Sequence, residues 1–214
     1  MCFAIVAIAV FLLAPSNVLA QEQAEQPRFG EGDVWVFRIS RSNFVTSESS
    51  RLRDGEYKVA TSKKRFRFFS LAGNQEEEIK PGEGVNLWVL RRMIGIIGRD
   101  KYPPLQFPLF VGKEWSGEYT LIAPAGADAP MTTFYIPYKS KVTATEKVTT
   151  SAGTFTAFKI EREDSYPGSL GLSAFFYSPA TKGIVKYRWE GVSYRGGGES
   201  KMEIELIKFG SAAK

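Results

Sequence analysis

No histidine occurs in this 214-residue chain, and its one cysteine, Cys2, stands at the extreme N-terminus. Zinc, copper and haem sites draw on imidazole or thiolate ligands, and general-base and thiol catalysis use the same two side chains. Those chemistries are closed to the body of the chain, and so are disulfide bonds. What survives is chemistry run by Asp, Glu, Lys, Tyr or Ser alone. A P-loop is missing too: Gly30-Glu31-Gly32 and Gly82-Glu83-Gly84 lack the further glycine at the right spacing, and neither opens a helix. Pro167-Gly168-Ser169-Leu170-Gly171 has proline where a nucleophile elbow wants its first glycine, and Ser169 has no histidine to serve as its base. Calcium loops of the DxDxDG kind and Asn-x-Ser/Thr sequons are absent as well. Neither a metal nor a cofactor is expected.

Only one long hydrophobic run is present, residues 3–14, followed by Pro15, Ser16 and Asn17 and then by Val18-Leu19-Ala20. It reads as a signal peptide over residues 1–20, with cleavage after Ala20. A membrane anchor is the competing reading, but a spanning helix needs about 20 apolar residues and this run breaks at Pro15. No Lys or Arg precedes the run, so either the α-amino group supplies the positive charge or the start lies elsewhere. Cys2 is at the wrong end of the run for a lipoprotein signal. Export therefore directs the chain to the periplasm or beyond, without a transmembrane span in the mature form. At this size a chain buries roughly 70% of its unfolded surface and sustains a core without disulfides.

The charge, +5 overall, is unevenly placed. Residues 33–113 carry 15 basic and 9 acidic side chains, while 114–214 carry 12 and 11. The densest cluster is Lys63-Lys64-Arg65-Phe66-Arg67, where strand alternation sets Lys63, Arg65 and Arg67 on one face and Phe66 and Phe68 on the other. That basic face is a candidate for anionic envelope material such as lipid headgroups; a solvated strand face is the plain alternative. Nucleic acid is not an expected partner for an exported chain.

Period-two alternation runs along the chain, and long helical stripes are missing. Val185, Tyr187 and Trp189 alternate with Lys186, Arg188 and Glu190, and Met202, Ile204 and Leu206 with Glu203 and Glu205. These are half-buried antiparallel strands. Similar segments at 34–39, 56–60, 65–71, 85–90, 115–122, 139–149, 154–163 and 173–177 bring the expected count to about ten. Glycine-bearing turns at 53–55, 72–74, 80–82, 151–153 and 195–198 join them. The fold class expected is an all-β antiparallel meander curved into a half-barrel or barrel-like sheet, with a two-sheet sandwich as the alternative. A flexible tail at 21–27 precedes a single domain over 28–210.

Three stretches depart from this pattern. Residues 102–108 hold Pro103, Pro104 and Pro108 and read as an extended crossover between two half-sheets. Residues 123–130 are small and turn-rich, a surface loop. Residues 91–98 form an apolar run flanked by arginines, either a continuing strand or a flap over a cavity. Gly32-Asp33-Val34-Trp35 and Gly112-Lys113-Glu114-Trp115 share a GxxW pattern 80 positions apart, which suits two similar half-sheets; Trp35 and Trp115 also suit any β core.

The best catalytic pair is Glu161 and Glu163, on one strand face about 6.6 Å apart. Glycoside hydrolysis uses paired carboxylates on opposite sides of a bond, whereas these approach from one side and have Lys159 and Arg162 nearby as salt partners.

From Leu109 onward an ordered series appears: Gly112-Lys113-Glu114-Trp115, then Val142 to Val148, then Ala152-Gly153-Thr154-Phe155-Thr156-Ala157-Phe158-Lys159-Ile160, then Phe176-Tyr177-Ser178-Pro179 and Gly183-Ile184-Val185-Lys186. Over residues 105–209 this resembles a group of exported bacterial proteins carrying a β-rich domain of unknown function. The resemblance implies an antiparallel β protein of the envelope and brings no catalytic residues. Physically, Gly153 suits a tight turn, and Phe155 and Ile160 fall on opposite faces of a hairpin covered on both sides. Pro179 ends the strand holding Tyr177 and Gly183 starts the next. These residues are read as a folding signature.

The leading functional expectation is a non-catalytic envelope protein that binds a hydrophobic or lipid-like ligand in a β cavity. The alternative is a structural or assembly protein that docks an envelope protein through a sheet edge or the basic face. A carboxylate-based hydrolase comes third.

Overall fold

In the computed structural model, residues 22–42, 55–62, 65–70, 76–79, 105–124, 130–193 and 199–211 are described. The expected signal peptide, Lys63, the strand at 85–90, the run at 91–98 and the first part of the proline crossover lie outside them. Twelve strands are described: β1 (Gln23–Ala24), β2 (Asp33–Ser42), β3 (Gly55–Ser62), β4 (Arg65–Ser70), β5 (Glu76–Ile79), β6 (Leu109–Phe110), β7 (Glu114–Pro124), β8 (Met131–Thr150), β9 (Gly153–Tyr166), β10 (Ser169–Ser178), β11 (Gly183–Ser193) and β12 (Glu199–Ser211).

Ten of them form one antiparallel sheet in the order β5-β4-β3-β2-β12-β11-β10-β9-β8-β7, and β1 pairs with β6. The expected meander is present, and among the described residues the sandwich alternative is not: β2 pairs with β12 and joins the two halves into a single sheet whose described strands do not close. β5 was not expected, because Glu76-Glu77-Glu78 shows no alternation. Gln23–Ala24, placed by sequence in a flexible tail, is instead a strand paired with Leu109 and Phe110, and Ala24 is buried.

A sheet with no helical layer buries its face by curling over it. The inner face is legible in the register. Val142, Ile160, Phe175, Tyr187, Ile204 and Ile39 stand side by side across six strands, none more than 2% exposed. Each such side chain contributes roughly 1.5–3 kcal/mol by leaving water. Three β-bulges fall next to this row, at Thr143 on β8, Val185 on β11 and Ile207 on β12. Bulges bend a strand and raise its twist, so the curl is concentrated along one line.

Past that line β8 and β9 run on beyond the end of β10, and their hairpin folds back over the outer face. Its tip docks on β12, where Ala152 N–H donates to the Leu206 carbonyl (3.3 Å) and the Ser151 hydroxyl to Glu205 (2.9 Å). This second layer explains why consecutive residues of opposite facing are buried, Ala157 with Phe158 and Phe175 with Phe176. Phe155 packs on the outer side and Ile160 on the inner, as their spacing predicts.

The GxxW echo is structural. Gly32 (φ 79°) donates to the Thr61 carbonyl and Gly112 (φ 91°) to that of Val142, in each case the strand next door. The following residue closes a turn, Asp33 onto Gly30 and Lys113 onto Phe110. Both tryptophans then enter the core. The crossover ends on the inner face as well: Leu105 and Leu109 are buried, and the Phe107 ring meets that of Tyr177 edge-on at 5.2 Å.

Trp35 fastens the first half to the second. Its indole N–H donates to the Thr181 carbonyl (2.8 Å), and its ring touches Phe29 and Phe209. Beside it the buried Asp33 carboxylate accepts from Gly30 N–H (2.6 Å) and Lys182 Nζ (2.8 Å). Trp35→Phe keeps the ring but leaves the Thr181 carbonyl unpaired in the core. A loss of about 1–3 kcal/mol in urea unfolding is expected, with an unchanged circular dichroism spectrum.

Candidate functional site

The outer face of β8 to β12 is a self-neutralised lattice of charge. Lys141 pairs with Glu114 (2.6 Å), Lys159 with Glu161 (2.6 Å), Lys201 with Glu190 (3.7 Å), and Glu203 with both Lys186 (3.1 Å) and Arg188 (2.9 Å). Burial pushes the Glu203 carboxyl up, but its bonds to Arg188 and Lys186 together outweigh that and hold it below the usual range. Glu161 and Glu163, the pair considered for hydrolysis, stand exposed in this lattice. Arg162, expected as their salt partner, is instead 2% exposed on the opposite face, because it alternates with them along β9.

The basic face is described only in part. Arg65 and Arg67 lie on β4, where Arg67 stands in register between Ala60 and Glu78. Trp35, Trp115, Ile160 and Tyr177 are core residues; Gly153 (φ 132°) makes the β8–β9 turn, Pro179 opens a single 3-10 turn, and Gly183 begins β11.

The unusual chemistry sits on the inner face, one and two rows beyond the apolar row. The first of these rows reads Trp115, Ser140, Arg162, Ser173, Trp189, Met202 across β7 to β12. The second reads Gly117, Tyr138, Asp164, Gly171, Gly191. Arg162 Nε donates to Ser140 Oγ (3.0 Å), and its guanidinium lies 4.7 Å from the Tyr138 ring centroid and 5.1 Å from that of Phe175. Cation–π contact of this kind is strongest when desolvated. The hydroxyls of Ser173 and Tyr187 are 3.2 Å apart, and those of Tyr119 and Tyr166 2.9 Å.

Asp164 is 1% exposed. Burial pushes its carboxyl up to about 6, against the pull of Arg162 and a hydrogen bond donated by Tyr119. Burial likewise raises the phenols of Tyr138 and, to about 12, Tyr177. Buried atoms on these rows with no hydrogen-bond partner among the described residues include Asp164 Oδ1 and Trp115 Nε1.

Three aromatic rings pack directly against glycine backbone here. A methyl group built on Gly117 would stand 2.9 Å from the Tyr138 ring; one on Gly171 would stand 2.7 Å from Tyr166 and 3.1 Å from Trp189 Nε1; and one on Gly191 would stand 2.3 Å from Trp189 Cη2. Glycine at these places lets the rings settle onto the sheet.

The sequence contained one signal for this site that pattern reading passed over. Ile160, Arg162, Asp164 and Tyr166 share a parity, so two ionisable groups continue the buried face of an apolar strand.

No protein-family model matches the chain, and no curated protein does. Three solved structures overlay on most of it. One is described as an exported protein with a YmcC-like fold from Bacteroides fragilis NCTC 9343, at 14% identity over 88% of this chain and 100% of that one, with a TM-score of 0.46. Another is the hypothetical lipoprotein YmcC from Escherichia coli K12, at 9% identity, 84% and 85% coverage and 0.42. A third is described as a lipoprotein from Parabacteroides distasonis ATCC 8503, at 13% identity, 87% and 97% coverage and 0.43. Identities and scores of this size transfer no residue role to this chain.

The raised Asp164 carboxyl makes stability depend on pH. Between its ordinary value of 3.8 and about 6 the folded chain holds the proton and the unfolded chain does not. This contribution is therefore complete below about pH 4 and is lost as the pH rises through 6, a change of about 3 kcal/mol. Urea titrations of wild type and Asp164→Asn at pH 4 and pH 7 are expected to show the wild type losing that much more than the variant on going to pH 7.

Proposed function

We propose that this is an exported, non-catalytic binding protein of the bacterial envelope, and that an organic ligand with both apolar and polar groups docks on the inner face at its aromatic end. The observation that carries the reading is that Asp164 Oδ1 and Trp115 Nε1, buried among aromatic rings, have no hydrogen-bond partner among the described residues. Buried polar groups are nearly always paired, and a ligand's own polar groups would complete these two.

The position of the ligand follows from what already fills the fold. At the Tyr177 end of the inner face the chain's own Phe107 packs, in one core cluster with Ala24, Leu105 and Leu109. The opposite end carries half-buried rings, Phe134, Tyr166 and Trp189. A ligand reaching Asp164 would come from that end. Export rests on the signal-like N-terminus read from the sequence.

A second reading is docking of an envelope protein by strand addition. It is favoured by β7, an eleven-residue strand at one edge of the sheet.

Native mass spectrometry of mature protein, purified from a bacterial periplasm without detergent, tests the first reading. A stoichiometric organic adduct is expected, and organic extraction should release it. Asp164→Asn together with Trp115→Phe should lower its occupancy at least tenfold. A clean apo mass from a folded, freshly isolated protein would overturn the reading and direct attention to β7.

A further inference from the structure

The rings laid on glycine do more than fill space. Trp189 covers Gly191 and reaches Gly171 on the next strand, where Tyr166 meets it from the other side. Gly171 and Gly191 are direct cross-strand partners, so the two rings together make an aromatic floor against two neighbouring backbones. Both rings are half-buried rather than sealed, which leaves part of the floor's far surface reachable. Asp164 is the register partner of Gly171 and so borders the floor, about 5 Å along the sheet.

The geometry points to a saccharide as the ligand class, with a pyranose ring stacked on Trp189 and Tyr166 and its hydroxyls meeting Asp164 and the neighbouring phenols. This rests on the binding reading above and adds the chemistry of the ligand. A sugar ring has an apolar face of C–H groups and a rim of hydroxyls that both donate and accept. The floor offers aromatic surface of the matching shape. At its border stand an acceptor without a partner, Asp164 Oδ1, and the paired hydroxyls of Tyr119 and Tyr166.

Two other ligand classes fit less well. An acyl chain would cover the floor but offer Asp164 Oδ1 no hydrogen bond in a dry site, which disfavours it. A strongly anionic ligand would meet the Asp164 carboxylate, which lies on the same face of β9 as Arg162. An uncharged, hydroxyl-rich ring suits a site whose own opposite charges stand side by side.

The test is isothermal titration of the mature full chain with chito-, cello- and malto-oligosaccharides in turn, and with palmitate in parallel. Binding of at least one oligosaccharide at millimolar or lower concentration is expected. Trp189→Ala should weaken it at least tenfold, Asp164→Asn at least threefold, and Trp189→Tyr, which keeps a ring on Gly191, by less than threefold. Should Trp189→Ala not fold, the contrast between Trp189→Tyr and Asp164→Asn carries the same information. Oligosaccharide binding indifferent to these changes would overturn the proposal. Binding of palmitate with no oligosaccharide would overturn the saccharide assignment and leave the binding reading standing. Binding of neither, with a clean apo mass, would remove both.

Discussion

An antiparallel sheet with no helical layer can bury one face only by bending over it, and the rest of this structure depends on where that bend falls. Three bulges, on β8, β11 and β12, set it beside the row from Val142 to Ile39. On one side of the line the tip of the β8–β9 hairpin reaches β12 at Glu205 and Leu206. On the other the strands run on with their inner faces turned together, and there the polar and aromatic rows are held. The pairing of β2 with β12 makes this possible, since it brings the start and end of the domain together and turns two meanders into one sheet. Such a contact is distant in sequence and entropically costly to close. The Trp35 and Asp33 bonds to the 181–182 turn reinforce it.

The two charged residues at the centre are the costliest part of the design. Arg162 and Asp164 stand on one strand, both nearly inaccessible, where apolar residues would pack without desolvating charge. Ring faces, a serine hydroxyl and a tyrosine hydroxyl compensate them in part. What is left over, the outward lone pair of Asp164 and the indole N–H of Trp115, gives the inner face its chemical character. Glycine at 117, 171 and 191 belongs to the same arrangement, for a side chain at any of these would lift a ring from the sheet.

Much of the fold was legible from alternation alone. Val34 to Ile39, Val185 to Trp189 and Met202 to Leu206 announce strands and their buried sides, and the repeated GxxW marks two equivalent strand entries. Residues 76–79 escaped notice because three glutamates show no period, and Gln23–Ala24 because two residues cannot. The candidate site was harder to see. Glu161 and Glu163 drew attention as carboxylates, but parity puts them outside among lysines, while Arg162, expected as their salt partner, and Asp164 turn inward. Parity along one strand says which face a residue takes; only the register across five strands shows that Trp115, Asp164, Tyr166 and Trp189 share a neighbourhood.

The central claim is that the inner face around Asp164 completes its hydrogen bonds with a bound organic molecule. A high-resolution crystal structure of protein isolated from its native compartment addresses it directly. The account predicts continuous density for a molecule within hydrogen-bonding distance of Asp164 Oδ1 or Trp115 Nε1 and lying against the Trp189 ring. Finding both atoms satisfied by groups of the chain itself, with no room over Trp189, would contradict it.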